Sequence, residues 1–134
     1  MRRALFALSA LLLLAAPARA DDAEICTEAA ARYKEMFGRD AASEPVVTVM
    51  MFKYRFCPFE ITVKKGAKIR YVNIDRRTSH SVWLRDAGKA ESDRVFSGEV
   101  VELDADVAAG AHEVLCGPHW ERESMRARLI IVGD

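Results

Sequence analysis

The sequence has 134 residues, of which 51% are hydrophobic and 30% are charged, values typical of one globular domain with an apolar core. Basic and acidic residues are equal in number, at 20 each. The chain therefore lacks the excess of positive charge that marks a nucleic-acid-binding protein.

The first twenty residues have the pattern of a secretory signal peptide. Arg2 and Arg3 form a positive start, residues 4–16 are mostly apolar, and Ala18-Arg19-Ala20 has small residues at the cleavage positions. The apolar run has roughly 13 residues, whereas a membrane-spanning helix needs about 20, so cleavage is favoured over an uncleaved anchor. We therefore expect residues 1–20 to be removed and the mature chain to lie in the periplasm, with no membrane span.

Residues 21–45 are predicted to form a short helix and a connector. Apolar side chains at Ile25, Ala29, Tyr33 and Phe37 recur every four residues, which places them on one helical face, and Gly38 follows as a stop signal. Residues 39–45 are polar and mixed, as expected of a connecting segment.

The remaining residues, 46–134, are predicted to form one all-β domain. Short runs rich in Val, Ile, Phe and Tyr are separated by turn signals, and about seven to eight strands fit this spacing. Polar and apolar residues alternate clearly in three runs, as in strands with one buried face. Many short antiparallel strands predict a β-sandwich. The alternating runs are 59–63, 69–73 and 126–132.

The sharpest chemical pattern is Cys116-Gly117-Pro118-His119, with Met125 a few residues further on. It directly follows a strand-like run, and Gly117-Pro118 favours a turn that would let the thiolate and the imidazole face one ion. Copper favours two imidazoles and a thiolate with a weak axial thioether, because these ligands suit both of its oxidation states. The pattern therefore predicts a copper site that needs one more histidine.

His80 and His112 are the two histidines left to complete the site. His80 lies where a predicted loop enters a strand, a usual place for a ligand, and we favour it. His112 has the strand parity of Cys116 and could also point inward, but a packed or rim histidine explains it without a metal.

Plainer interpretations of these residues remain open. Met125 could fill the core instead of binding metal, and Glu121, Glu123 or no side chain could then take the axial position. Cys116 and His119 could be a buried free thiol beside a surface histidine.

Taken together, these features resemble the small cupredoxins of the plastocyanin and pseudoazurin kind. The resemblance rests on Cys116 and His119 followed by Met125, on the upstream His80, and on the runs FEITVKKG and YVN at residues 59–66 and 71–73. It covers about residues 46 to 132. The methionine of the plastocyanin-like pattern comes five residues after the second histidine, whereas here it comes six residues after His119.

The resemblance implies a Greek-key β-sandwich with one mononuclear type 1 copper ion bound by His80, Cys116, His119 and Met125. It also implies a monomer, not an enzyme, that carries single electrons between a donor and an acceptor, such as a cytochrome or a copper or quinoprotein enzyme. Ser81 occupies a place where the family often has a hydrogen bond to the copper thiolate. Trp120 is expected either to join a docking patch or to cover the metal.

Cys26 and Cys57 are the two other cysteines of the predicted mature chain. An oxidising compartment favours a disulfide between them, which would fasten the helix to the second strand. Two buried unpaired thiols are the alternative.

Two other functions compete with electron transfer. A periplasmic copper carrier or storage protein would use the same ligands, although it usually has exposed clusters of methionine or histidine, which this sequence lacks outside the predicted site. A thiol enzyme would need a base that activates Cys116. Multicopper enzymes need further histidine clusters, which three histidines cannot supply.

Overall fold

The computed structural model describes residues 21–133, and within them the chain folds into two packed β-sheets with one helix outside. One sheet has the strand order β2-β1-β4-β5 and the other the order β3-β7-β6. The predicted β-sandwich with a short N-terminal helix is confirmed, whereas the predicted signal peptide lies outside the described residues. The elements are α1 (Asp22–Phe37), β1 (Val47–Phe52), β2 (Arg55–Cys57), β3 (Glu60–Lys64), β4 (Lys68–Asn73), β5 (Val100–Asp104), β6 (Gly110–Leu115) and β7 (Arg126–Val132).

Helix α1 has the buried face, and ends at the glycine, that its sequence pattern predicts. Ala29 and Tyr33 are completely buried, and Ile25 and Phe37 pack beside them. The helix ends because Gly38 adopts a left-handed conformation and donates its N–H to the carbonyl of Lys34 at 2.8 Å. No helix among residues 21–133 is long and apolar enough to cross a membrane.

Two strand pairs are parallel, which differs from the antiparallel arrangement that the strand pattern predicts. Strand β1 pairs in parallel with β4, and β3 pairs in parallel with β7, while the other three pairs are antiparallel. The chain crosses to the second sheet as β3 before it returns as β4, so β4 re-enters the first sheet in the direction of β1. Such crossings between two sheets are part of Greek-key connectivity.

Strand β1 is buried on both faces and therefore contributes to two separate cores. Val49 and Met51 point into the main core between the sheets, whereas Met50 and Phe52 pack against α1 on the outer face. Five of its six residues are buried, and apolar residues occupy consecutive positions from Val49 to Phe52 instead of alternating with polar ones.

A disulfide joins Cys26 of α1 to Cys57 of β2. The predicted pairing is confirmed. Beside it, Arg55 Nε donates to Asp22 Oδ1 at 2.6 Å, so a covalent and an ionic contact hold the start of the helix to the same strand. The helix is thereby fixed to the first sheet.

We expect removal of this disulfide to destabilise the fold. The half-cystines are 31 residues apart, so the double variant Cys26→Ala/Cys57→Ala should lose about 3–4 kcal/mol of unfolding free energy. Urea unfolding of the metal-free protein measures this. Wild-type protein treated with a reductant should lose a similar amount and the double variant should not respond; a loss below about 1 kcal/mol would contradict the prediction.

Candidate metal centre

The predicted ligands come together at one end of the sandwich, from two loops. His80 lies in the long connection between β4 and β5, where it forms an isolated bridge with Val95 instead of entering a regular strand as predicted. Cys116 directly follows β6, His119 lies in the turn after it, and Met125 directly precedes β7.

The loop from Cys116 to Met125 is held by its own backbone. The Cys116 carbonyl accepts the N–H groups of His119 at 3.1 Å and Trp120 at 2.8 Å, which winds the start of the loop into a helical turn. The Cys116 N–H then donates to the Met125 carbonyl at 3.1 Å and closes the loop. The six-residue step from His119 is accommodated in this way, with Ser124 in the left-handed region at φ 52°.

Three ligand atoms converge on a point suited to one metal ion. The Cys116 Sγ lies 3.7 Å from His80 Nδ1 and 3.4 Å from His119 Nδ1, and all three atoms are within 4.8 Å of one another. An ion bound at about 2.1 Å by nitrogen and about 2.3 Å by sulfur holds the two atoms roughly 3.6 Å apart at a tetrahedral angle. The three side chains could therefore bind one ion with little movement.

Burial differs among the three side chains. His80 and Cys116 are completely buried, whereas His119 is half-buried. Burial, and next the neighbouring His80, lower the pKa of His119, so its imidazole is neutral at neutral pH and can offer a lone pair. Burial raises the pKa of the Cys116 thiol, although a hydrogen bond from Ser81 opposes this effect. Without a metal the thiol stays protonated, which makes it a poor nucleophile.

Ser81 joins the two loops directly behind the sulfur. Its backbone N–H points at Cys116 Sγ at 3.5 Å, so the hydrogen bond that the family resemblance implies at this position comes from the main chain. Its hydroxyl accepts the Gly117 N–H at 2.8 Å and donates to Glu91 Oε1 at 2.7 Å. A Cβ atom at Gly117 would meet this carboxylate at 1.6 Å, so a larger residue there would displace the Glu91 side chain.

The other candidate residues lie outside the cluster or on the surface. His112 Nε2 lies 2.6 Å from the Ala108 carbonyl, and His112 is not among the converging ligand atoms. Glu121 and Glu123 are exposed, which disfavours either as an axial ligand, whereas Met125 is completely buried in the same apolar cluster as Cys116.

Trp120, predicted either to join a docking patch or to cover the metal, is half-buried. The guanidinium of Arg85 lies 4.6 Å from its ring centre and that of Arg126 lies 5.5 Å away. The indole is therefore held by cation–π contacts instead of extending freely into solvent.

Two residues at the centre were missed by sequence reasoning. Asp75 Oδ2 lies 2.5 Å from His80 Nε2, on the side of the ring opposite the sulfur. Tyr54 lies edge-on to His119, with ring centres 4.9 Å apart. A polar residue five positions before a candidate ligand was a weak signal for Asp75. Nothing in the sequence pointed to Tyr54. Lys53 and Tyr54 form a left-handed hairpin turn without the usual glycine or asparagine, so the sequence does not reveal the turn that contains Tyr54.

Solved structures of amicyanin, a cupredoxin, are similar to this chain. A reduced Cu(I) form of an amicyanin mutant has a TM-score of 0.57 and 19% identity, covering 69% of this chain and 89% of that one. Amicyanin from Paracoccus versutus has a TM-score of 0.55 and 22% identity, covering 69% and 88%. The chain has the cupredoxin fold.

The cupredoxin fold is shown here by the three-dimensional arrangement, not by sequence. No family model matches the sequence, and no curated protein matches it. A reduced form of another amicyanin mutant has a TM-score of 0.56 at 21% identity, which is again a likeness of fold. Because one fold can carry many functions, the function has to be argued from the side chains of the centre.

We expect Ser81→Ala to destabilise the metal-free protein. The variant leaves the Gly117 N–H without its partner in a part-buried position, which costs about 1–3 kcal/mol of unfolding free energy. Urea unfolding measures this. Ser97→Ala, at an exposed serine of the same long connection, is the matched control and should stay within about 0.5 kcal/mol of wild type. Equal values for the two variants would contradict the bridging role of Ser81.

Proposed function

We propose that this chain is a periplasmic type 1 copper protein that carries single electrons between redox partners. The observation that supports it most directly is the convergence of His80 Nδ1, Cys116 Sγ and His119 Nδ1 within 4.8 Å of one another. Two imidazoles and one thiolate, with a methionine nearby, are the ligand set of blue-copper electron-transfer sites. One of the similar amicyanin structures is named as a Cu(I) form.

The proposed ligands are His80, Cys116 and His119, with Met125 as the axial ligand. Copper bound there would supply a one-electron couple between Cu(II) and Cu(I). Met125 is completely buried, and its carbonyl accepts the Cys116 N–H at 3.1 Å, so its backbone is tied to that of the thiolate ligand. The proposal covers one mononuclear site.

The chain holds these side chains in a nearly fixed arrangement. The backbone bonds of the Cys116–Met125 loop and the two bonds of Ser81 constrain the ligands from both sides. A rigid set that suits both oxidation states changes little on electron transfer, so the reorganisation is small. Rigidity of this kind favours an electron carrier over a protein that releases its ion.

Electrons are proposed to enter and leave through His119. It is the half-buried member of the set, whereas His80 and Cys116 are completely buried. A donor or acceptor, such as a cytochrome or a copper or quinoprotein enzyme, would approach this end, where Trp120 and its arginine neighbours also lie.

The Cys26–Cys57 disulfide fits an oxidising compartment and supports a periplasmic location after cleavage of residues 1–20. We propose a monomer.

No catalytic role is proposed. A thiol nucleophile needs an accessible thiolate, and Cys116 is completely buried with its pKa raised by burial. A copper carrier or storage role uses the same ligands. The copper spectra and the resistance of the bound copper to a chelator distinguish that role from electron transfer.

We expect residues 21–134, loaded with Cu(II), to show the strong visible absorption and the electron paramagnetic resonance spectrum of a type 1 site. Cys116→Ala should abolish the visible band, because the band arises from the thiolate-to-copper charge transfer. His112→Ala is the matched histidine control and should keep the full spectrum. A colourless protein whose copper is rapidly taken by a chelator would overturn the electron-carrier proposal in favour of delivery or a role without metal.

We expect Met125→Leu to raise the reduction potential and change the copper spectrum, because it replaces a donor with an apolar side chain, and the more highly charged Cu(II) loses more from this than Cu(I). Voltammetry and paramagnetic resonance measure these changes. Leucine conserves the side-chain volume, so the metal-free protein should lose less than about 1.5 kcal/mol of stability. Met50→Leu, in the core beside α1, is the control and should leave the potential unchanged. An unaltered potential in Met125→Leu would exclude Met125 as the axial ligand.

A further inference from the structure

The imidazole of His80 lies between the sulfur of Cys116 and the carboxylate of Asp75. Its Nδ1 is 3.7 Å from Cys116 Sγ, and its Nε2 is 2.5 Å from Asp75 Oδ2. A carboxylate only accepts, so Nε2 must carry the proton of this hydrogen bond. When the ring is neutral, its lone pair is on Nδ1, the atom that faces the sulfur.

We propose that Asp75 is a positioning residue of the metal centre. It holds His80 in the tautomer and orientation that point Nδ1 at the ion, and its charge makes the imidazole a stronger donor, which lowers the reduction potential. The claim that Asp75 orients His80 concerns the protein without metal. The claim that it lowers the reduction potential rests on the proposed copper function. Outer partners of this kind orient metal-binding histidines and tune the metal in many proteins.

Asp75 is itself held by a network of buried groups. Its N–H donates to Asn73 Oδ1 at 2.9 Å, and the Asn73 amide donates to the carbonyls of Thr78 and Val95, both at 2.8 Å. The backbone of His80 pairs with the same Val95 through bonds of 3.1 and 2.8 Å. The carboxylate and the ring are therefore attached to one common framework, which sets their separation.

The carboxylate of Asp75 lies next to the His80 ring. Asp75 is 9% exposed, and within residues 21–133 His80 is the only charged or titratable side chain within ion-pair distance of it. Its other hydrogen bond as acceptor comes from the Lys53 backbone N–H, at 3.2 Å to Oδ2 and 3.3 Å to Oδ1. The basic side chains Arg76 and Arg77 line a surface cavity on its outer side and are exposed.

The sign of the effect on the potential follows from electrostatics. The oxidised ion carries one more positive charge than the reduced ion, and a negative carboxylate behind one ligand favours the more positive state. Asp75 therefore stabilises Cu(II) relative to Cu(I). Removing its charge should raise the reduction potential.

The first experiment uses the metal-free protein and nuclear magnetic resonance of the His80 ring nitrogens. We expect the Nε2–H tautomer in wild type and in Asp75→Asn, because an asparagine oxygen at the Oδ2 position can accept the same N–H. In Asp75→Ala we expect this single tautomer to be lost. An Nδ1–H tautomer in wild type, or an unchanged tautomer in Asp75→Ala, would overturn the positioning role.

The second experiment measures the reduction potential and the affinities for Cu(II) and Cu(I). We expect Asp75→Asn, which keeps the hydrogen bond but not the charge, to weaken Cu(II) binding about 10-fold or more relative to Cu(I). A tenfold selective loss corresponds to a rise of about 59 mV for one electron. The paramagnetic resonance spectrum should remain that of a type 1 site.

Glu28→Gln is the matched control, because Glu28 lines the same surface cavity as Asp75 and pairs with Lys53 Nζ at 2.7 Å without touching His80. It should leave the potential close to that of wild type. An equal shift in Glu28→Gln and Asp75→Asn, or no shift in Asp75→Asn, would overturn the specific electrostatic role. A wild-type protein without a type 1 spectrum would overturn the proposed function and the redox part of this inference, while the tautomer experiment would still decide the positioning part.

Discussion

The hydrogen bonds of Ser81 hold together two loops whose ligands are 36 residues apart in the chain. Its backbone N–H reaches the Cys116 sulfur and its hydroxyl holds the Gly117 N–H, so His80 and Cys116 are placed by the same short segment. If the loops separated, the Cys116 loop would keep its internal bonds but lose its second imidazole. The convergence of the three ligand atoms therefore depends on this contact.

The sandwich supports the contact from both sides of the long β4–β5 connection. Trp83 and Leu115 exchange two backbone hydrogen bonds, at 2.8 and 2.9 Å, which attach the segment after Ser81 to the end of β6. The bridge between His80 and Val95 attaches the residues before it to a later part of the same connection. The residues around Ser81 form no regular strand, but backbone hydrogen bonds hold them on both sides.

Several polar groups are buried at this end of the molecule. Asn73, Asp75 and His80 are all at most 9% exposed, and each has hydrogen-bond partners that satisfy it. A buried carboxylate without such partners would be costly. Helix α1 and its disulfide stabilise the outer face of the first sheet, and the apolar cluster around α1 is separate from the core that contains Cys116 and Met125. Helix α1 and its disulfide thus stabilise a part of the chain that is separate from the candidate centre.

The sequence by itself determined the features that depend on neighbours along the chain. Apolar spacing predicted α1, alternation predicted β3, β4 and β7, and the short step from Cys116 to His119 predicted two ligands on one turn. Only the tertiary structure decided contacts between distant segments: the convergence of His80 with Cys116 and His119, the Asp75–His80 pair, the Tyr54 contact, the two parallel strand pairs and the two buried faces of β1. Local patterns report which side of an element is apolar, whereas the partner that covers this side is set by packing across the whole chain.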